Sequence, residues 1–239
     1  MERLTTSFNT MKLYKYRADI YRDLLTLVNN QIYAPTVQNL NDPAETIVND
    51  SKMYEVFDLM EKSGLPINIA KDNYAKIIAQ ARTELGIFSL SKTVVNELLW
   101  AYYTNGHKGF CIEYESEQLQ KSLSNGHLHS VLNVQYKNDT PEFSMNSITN
   151  NLVDDTQFIK CLIATKSMAW EREEEIRITL YSSGLFGISP ESVTGIYFGL
   201  RMPESDKELV KNSLKGRSIK YYQMKLKPNS YLLEAELIK

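Results

Sequence analysis

The run from Lys166 to Leu180, KSMAWEREEEIRITL, constrains this chain more than any other stretch. Read with a period of two, Ile176, Ile178 and Leu180 fall on one side of a strand. Glu171, Glu173, Glu175, Arg177 and Thr179 fall on the other. The apolar side calls for a core to pack against. The opposite side carries carboxylates about 7 Å apart along the strand, with a guanidinium next in line. Such crowding raises one carboxylate's proton affinity while the Arg lowers another's, and unequal carboxylates suit catalysis. The same pattern also fits a solvated strand face balanced by ion pairs.

The rest of the chain supplies the layers that such a strand needs. Leu13–Arg17 is a short strand with Leu13 off one side and Tyr14 and Tyr16 off the other, followed by a helix over 20–27 that Asp19 caps and Asn29-Asn30 stops. Residues 51–63 and 71–84 read as amphipathic helices broken by Gly64-Leu65-Pro66, with further helices over 92–104, 116–123, 142–168 and 204–214. Strands are expected at 86–91, 109–114, 131–136, 193–199, 218–226 and 230–238. Helices cluster early and strands late, which predicts an α+β fold with a mostly antiparallel sheet. Residues 1–10 read as a loose lead-in, and no composition shift divides the 239 residues into separate domains.

Composition narrows the function classes. A formal charge of −2 argues against a surface dedicated to non-specific nucleic-acid binding. No window approaches the ~20 apolar residues of a membrane span. The N-terminal residues lack the apolar segment of a secretory leader, so a cytoplasmic protein with reduced Cys111 and Cys161 is expected. His127 and His129 have no Cys or carboxylate partner at a metal-binding spacing, so no metal is expected. Phosphate-cradling glycine motifs and a nucleophile elbow are also missing.

Several short segments carry usable chemistry. Ser89 and Ser91 point the same way from one strand with Leu90 toward the core, and paired hydroxyls can hold a ribose or a phosphate. Asn96, Trp100 and Tyr103 share a helix face that could floor a pocket or belong to the core. Trp170 fits a core position. Arg17 offers a forked donor to a phosphate or ribose.

In order, the motifs are L-Y-K-Y-R at Leu13–Arg17, Tyr33-Ala34-Pro35, N-D-P at Asn41–Pro43, S-L-S at Ser89–Ser91, and L-W-A-Y-Y at Leu99–Tyr103. They continue with H-K-G-F-C-I-E-Y at His107–Tyr114, Val134-Gln135-Tyr136, K-S-x-x-W-x-x-E-x-E-x-R at Lys166–Arg177 and G-I-Y-F-G at Gly195–Gly199. The set resembles the bacterial domain-of-unknown-function family numbered 2971, from about residue 12 to 200. That family is grouped by distant similarity with the ADP-ribosyltransferase fold, and its members are often associated with bacterial conflict and phage-defence systems. The resemblance implies an ADP-ribosyltransferase-like domain with helices around a split sheet and an Arg–Ser–Glu site, acting as a toxin-like defence enzyme. Arg17 would match the first-strand arginine, Ser89 and Ser91 the S-x-S, and Glu173 and Glu175 the E-x-E. The middle residue of S-x-S, often Thr, is Leu90 here.

On this resemblance NAD is the substrate and an unknown macromolecule, protein or nucleic acid, is the acceptor. Glu175 would stabilise the oxocarbenium-like sugar through its 2′-hydroxyl, and Glu173 would orient or deprotonate the acceptor. Arg17 would hold the phosphate or adenosine side, Ser89 and Ser91 the ribose, Trp100 or Tyr103 would wall the pocket, and Arg177 would keep Glu175 ionised. Loops 36–50, 137–145 and 182–190 would choose the acceptor. Alternatives are an NAD glycohydrolase on the same site, a binding module with catalysis lost, and a metal-dependent hydrolase using Glu173 and Glu175.

Overall fold

A computed structural model of the chain describes residues 11–64, 66–142 and 155–238. The lead-in at 1–10, and residues 143–154 of the expected helix 142–168 and acceptor loop 137–145, lie outside them. The chain begins with β1 (Lys12–Arg17), α1 (Ile20–Val28) and β2 (Gln31–Ala34). Asp19 caps α1 by accepting a hydrogen bond from the Arg22 N–H at 3.1 Å. Next come α2 (Ser51–Lys62), α3 (Asn68–Thr83), β3 (Gly86–Ser91) and α4 (Glu97–Tyr103). This last helix is shorter than the 92–104 expected, because the Asn96 side chain accepts from the Leu98 and Leu99 N–H groups and caps it.

The chain continues through β4 (Phe110–Glu115), α5 (Ser116–Leu123), β5 (Leu128–Asn133), β6 (Gln135–Lys137), α6 (Asp155–Ile163) and β7 (Thr165–Ser167). It closes with β8 (Glu175–Leu180), β9 (Gly184–Gly187), β10 (Val193–Phe198), α7 (Glu204–Ser213), β11 (Lys220–Leu226) and β12 (Leu233–Ile238). The expected strand at 131–136 is therefore two strands, β5 and β6, broken at Val134.

The acidic run differs from its period-two reading. Met168–Glu173 forms a 3-10 turn started by Ser167, whose hydroxyl accepts from the Ala169 N–H, and Glu174 is left-handed with φ 46°. Only Glu175, Arg177 and Thr179 alternate along β8, so Glu171 and Glu173 are off the strand. Nor is this face solvated, since Arg177 and Thr179 are completely buried.

The main sheet runs β12-β11-β10-β4-β1-β3-β8-β5, antiparallel except for β10–β11. The result is a mixed α+β architecture, as the order of elements predicts. One face packs Leu13, Phe88, Leu90, Ile112, Ile176, Ile178 and Phe198 against residues of α1, β2, α5 and α7. The other face has two separate cores. Ile87 and Leu132 lie under α2, α3 and α6, whereas Tyr16, Cys111 and Tyr197 lie under α4.

Between those two cores the sheet forks. β1 pairs with β4 along all its six residues and β3 pairs with β8 along all its six, but β1 meets β3 only at Tyr14↔Ser91. Beyond that point the β3 backbone finds other partners: the Ile87 N–H donates to the Pro35 carbonyl at 2.8 Å, and the Lys15 Nζ donates to the Ser89 carbonyl at 2.7 Å. The other end of β1 is held tightly, since a Cβ on Gly109 would collide with the Arg17 carbonyl. Gly109→Ala is expected to displace that backbone and destabilise the fold by about 1–3 kcal/mol. Denaturant unfolding of the two chains measures it, and equal stabilities would show that β1 yields freely.

Candidate functional site

The fork opens a cavity of about 120 Å³ lined by Tyr14, Lys15, Ser89, Ser91, Tyr103, Glu45, Lys166, Glu173 and Glu175, with Pro35, Leu40 and Asn41 at its loop side. Ser89 and Ser91 reach it because β3 presents its odd-numbered residues on this face, in register with Arg177 and Glu175. Glu175 is the first residue of β8 and its N–H donates to the Tyr136 hydroxyl at 2.8 Å. The Tyr103 side chain comes from α4, and its hydroxyl donates to Glu173 Oε1 at 2.7 Å while accepting from Asn41 Nδ2 at 2.7 Å.

Beneath the cavity floor lies the Arg177 guanidinium, which uses every N–H it has. Nε donates to Glu175 Oε1 at 2.9 Å and Nη2 to Glu175 Oε2 at 3.1 Å. The two terminal nitrogens also form a fork onto Glu45, at 2.6 and 2.8 Å, and Nη1 donates to the Ile163 carbonyl at 2.7 Å. Lys166, from β7, adds an ammonium 2.7 Å from Glu173, 3.4 Å from Glu175 and 3.5 Å from Glu45, with Nζ 4.8 Å from the centre of the half-buried Trp170 ring. Three carboxylates thus share two cations, leaving one negative charge in excess.

Burial pushes the Glu175 carboxyl up, but Arg177, Lys166 and the Ser89 hydroxyl together bring its pKa down from 4.5 to about 2. It is ionised at neutral pH, and so is suited to stabilising positive charge rather than to exchanging protons. For Tyr103, burial and then Glu173 raise the phenol well above its usual range. Lys15 moves the other way: burial, then the Arg17 charge, lower it from 10.5 to about 7, against the pull of Glu175. Among the described residues no group of three or more His, Cys, Asp or Glu is arranged to hold a metal ion.

The structure therefore brings Ser89, Ser91, Tyr103, Glu173 and Glu175 to one cavity and leaves three of the expected residues elsewhere. Arg177 supports the cavity from beneath without lining it. Trp100 is completely buried, stacked edge-on against Tyr16 with its Nε1 donating to the Val94 carbonyl at 2.7 Å, so it belongs to the core. Arg17 shares the Leu13 side of β1 with Lys15, but it sits at the far end of the strand from the fork, where Nη1 lies 3.6 Å from Asp23 of α1. The basic residue that β1 does bring to the fork is Lys15.

Lys15, Glu45, Asn41 and Lys166 were not singled out from the sequence as site residues. Lys166 stood inside the K-S-x-x-W motif, where a lysine before an acidic run was a usable signal. Glu45 carried none: it lies 132 residues from Arg177 and is presented by the Asn41–Glu45 loop, in which the Asp42 side chain accepts from the Ala44 N–H at 2.9 Å.

A family model described as "Protein of unknown function (DUF2971)" matches residues 99–178, from within α4 to within β8. It supports that family over a span that contains Tyr103, Lys166, Glu173, Glu175 and Arg177, and leaves β1, the Asn41–Glu45 loop and β3 outside. No curated protein and no solved structure matches the chain.

Removing the central cation should be severe. Arg177→Met leaves Glu45 and Glu175 buried without their shared partner, an expected loss of about 3–5 kcal/mol in denaturant unfolding. A loss under about 1 kcal/mol would mean that water reaches these carboxylates. Acid should act through Glu175. Its folded pKa is depressed, so the stability it contributes is present above about pH 4.5 and is lost as pH falls toward about 2, on the order of 3 kcal/mol. Glu175→Gln should flatten that limb of the stability–pH curve.

Proposed function

We propose that the fork is the site of an NAD-dependent ADP-ribosyltransferase of the ADP-ribosyltransferase-like fold, working in a bacterial conflict or anti-phage system on a macromolecular acceptor. The observation that carries this reading is the convergence of hydroxyl strand β3 and acidic strand β8 on one cavity, where β1 leaves the sheet. A cavity of about 120 Å³ is smaller than the roughly 300–1,000 Å³ of pockets that enclose a whole drug-sized ligand. It takes the ribose ring, and the rest of the dinucleotide runs over the mouth.

In this reading Glu175 accepts the ribose 2′-hydroxyl. As the bond from C1′ to the nicotinamide nitrogen breaks, positive charge grows on the sugar and the ionised carboxylate stabilises it. Ser89 and Ser91 hold the ribose. Nicotinamide leaves with the bonding electrons, the acceptor's lone pair closes on C1′, and its proton passes to Glu173, which Tyr103 and Lys166 hold in place. With water as the acceptor the same site is an NAD glycohydrolase.

A recognition pocket without turnover is the second reading. Its support is that Arg177 and Lys166 already engage the Glu175 oxygens. Release of nicotinamide from NAD separates the two. The transferase reading expects release that falls by about 10²–10³ in Glu175→Gln and more mildly in Ser89→Ala, as for loss of a transition-state contact. NAD binding by calorimetry without release selects the recognition pocket. Neither binding nor release with any acceptor overturns both.

A further inference from the structure

We infer that Lys15 is a carbonyl-reactive amine, and that the fork captures small hydroxyaldehydes as imines on its Nζ. This stands apart from the NAD reading. The geometry begins with the backbone: Lys15 leaves β1 on the Leu13 side, beside the gap where β1 parts from β3, and its Nζ donates to the Ser89 carbonyl at 2.7 Å and lies 5.2 Å from the centre of the Phe88 ring, while the residue lines the fork cavity. Among the described residues Lys15 forms no ion pair, whereas Lys166 across the same cavity lies within 3.5 Å of three carboxylates. Lys15 is half-buried, and an amine that is partly desolvated, without an ion pair and near another cation is the kind that becomes nucleophilic near neutral pH.

The surrounding charges agree with this. Arg17 on the same strand opposes protonation of Lys15, while Asp23 of α1, Glu173 and Glu175 favour it less strongly than burial disfavours it. Glu45, Lys166 and Tyr103 complete the ionisable lining. Burial first, and Arg17 second, hold Lys15 near 7, so a substantial fraction carries a free lone pair at neutral pH.

In the reaction the Nζ lone pair attacks the aldehyde carbon. The carbinolamine then loses the former carbonyl oxygen as water, so that amine plus aldehyde gives imine plus water. Protonation of the imine restores a positive charge beside the carboxylates, whose excess negative charge favours it. That excess disfavours carbonyl ligands that carry carboxylates, and the hydroxyls of Ser89, Ser91 and Tyr103 match those of a short sugar aldehyde. The volume of about 120 Å³ admits a molecule of a few carbons.

The test is reductive trapping on the full chain. The protein is incubated with glyceraldehyde and cyanoborohydride across pH 6–10, and labelled lysines are identified by peptide mass mapping. At pH 7 Lys15 is expected to label at least about tenfold faster than the exposed Lys108, with a half-maximal rate near pH 7, because an ordinary lysine is almost wholly protonated there. Arg17→Gln should move that midpoint upward, a shift that a purely structural role for Lys15 would not produce. Lys15 labelling no faster than Lys108, or only at the alkaline pH of ordinary lysines, overturns the inference. The adduct's absence in Lys15→Arg, checked for folding by circular dichroism, rules out misassignment.

Discussion

The buried Arg177 guanidinium holds together parts of the chain that no strand ladder joins. Its five donors reach Glu175 at the head of β8, Glu45 in the Asn41–Glu45 loop and the carbonyl of Ile163 at the end of α6. A cation this deep is tolerable only when every N–H is matched and opposite charge is adjacent. That requirement draws in two carboxylates, and the crowding of those carboxylates with Glu173 draws in Lys166. The cavity floor is thus a small ionic lattice in which each group is held by at least two others. The adjacent Arg177 and Lys166 charges are what keep Glu175 ionised at neutral pH.

The second constraint is the single β1–β3 pair. A continuous sheet would close the cavity with backbone hydrogen bonds. Here α4 covers one half of the face and α2, α3 and α6 cover the other, and each half packs its own core. The strands between them part after Tyr14↔Ser91, and side chains and loop backbone take over the hydrogen bonds that a neighbouring strand would have made. Lys15 is one of these substitutes. Its placement at the fork is therefore a structural necessity of the split sheet as well as a chemical opportunity.

Much of this was legible in advance. Alternation placed Ser89 and Ser91 on one side of β3 with Leu90 in the core, and Ile176, Ile178 and Leu180 on the apolar side of β8, because a pleated strand has a period of two whatever surrounds it. The same periodicity misled at Glu171 and Glu173, where a left-handed Glu174 and a 3-10 turn interrupt the strand. A conformation of that kind is chosen by what the turn must reach, here Lys166 and Tyr103, and not by the residue's own preference. Helical spacing put Trp100 and Tyr103 on one face, yet Trp100 enters the core against Tyr16 while Tyr103 turns to Glu173.

By itself the sequence determined the mixed α+β class, the mostly antiparallel sheet, the segments that carry hydroxyls and acids, and which side of each strand is apolar. These follow from local periodicity and capping, which act over a few residues. Only the tertiary structure decided that Lys15 rather than Arg17 faces the fork, that Glu45 joins a site 132 residues away, and that Arg177 lies under the cavity instead of in it. Those outcomes depend on where two strands separate and on how buried charges neutralise one another. Both are sums over distant contacts that no local pattern records.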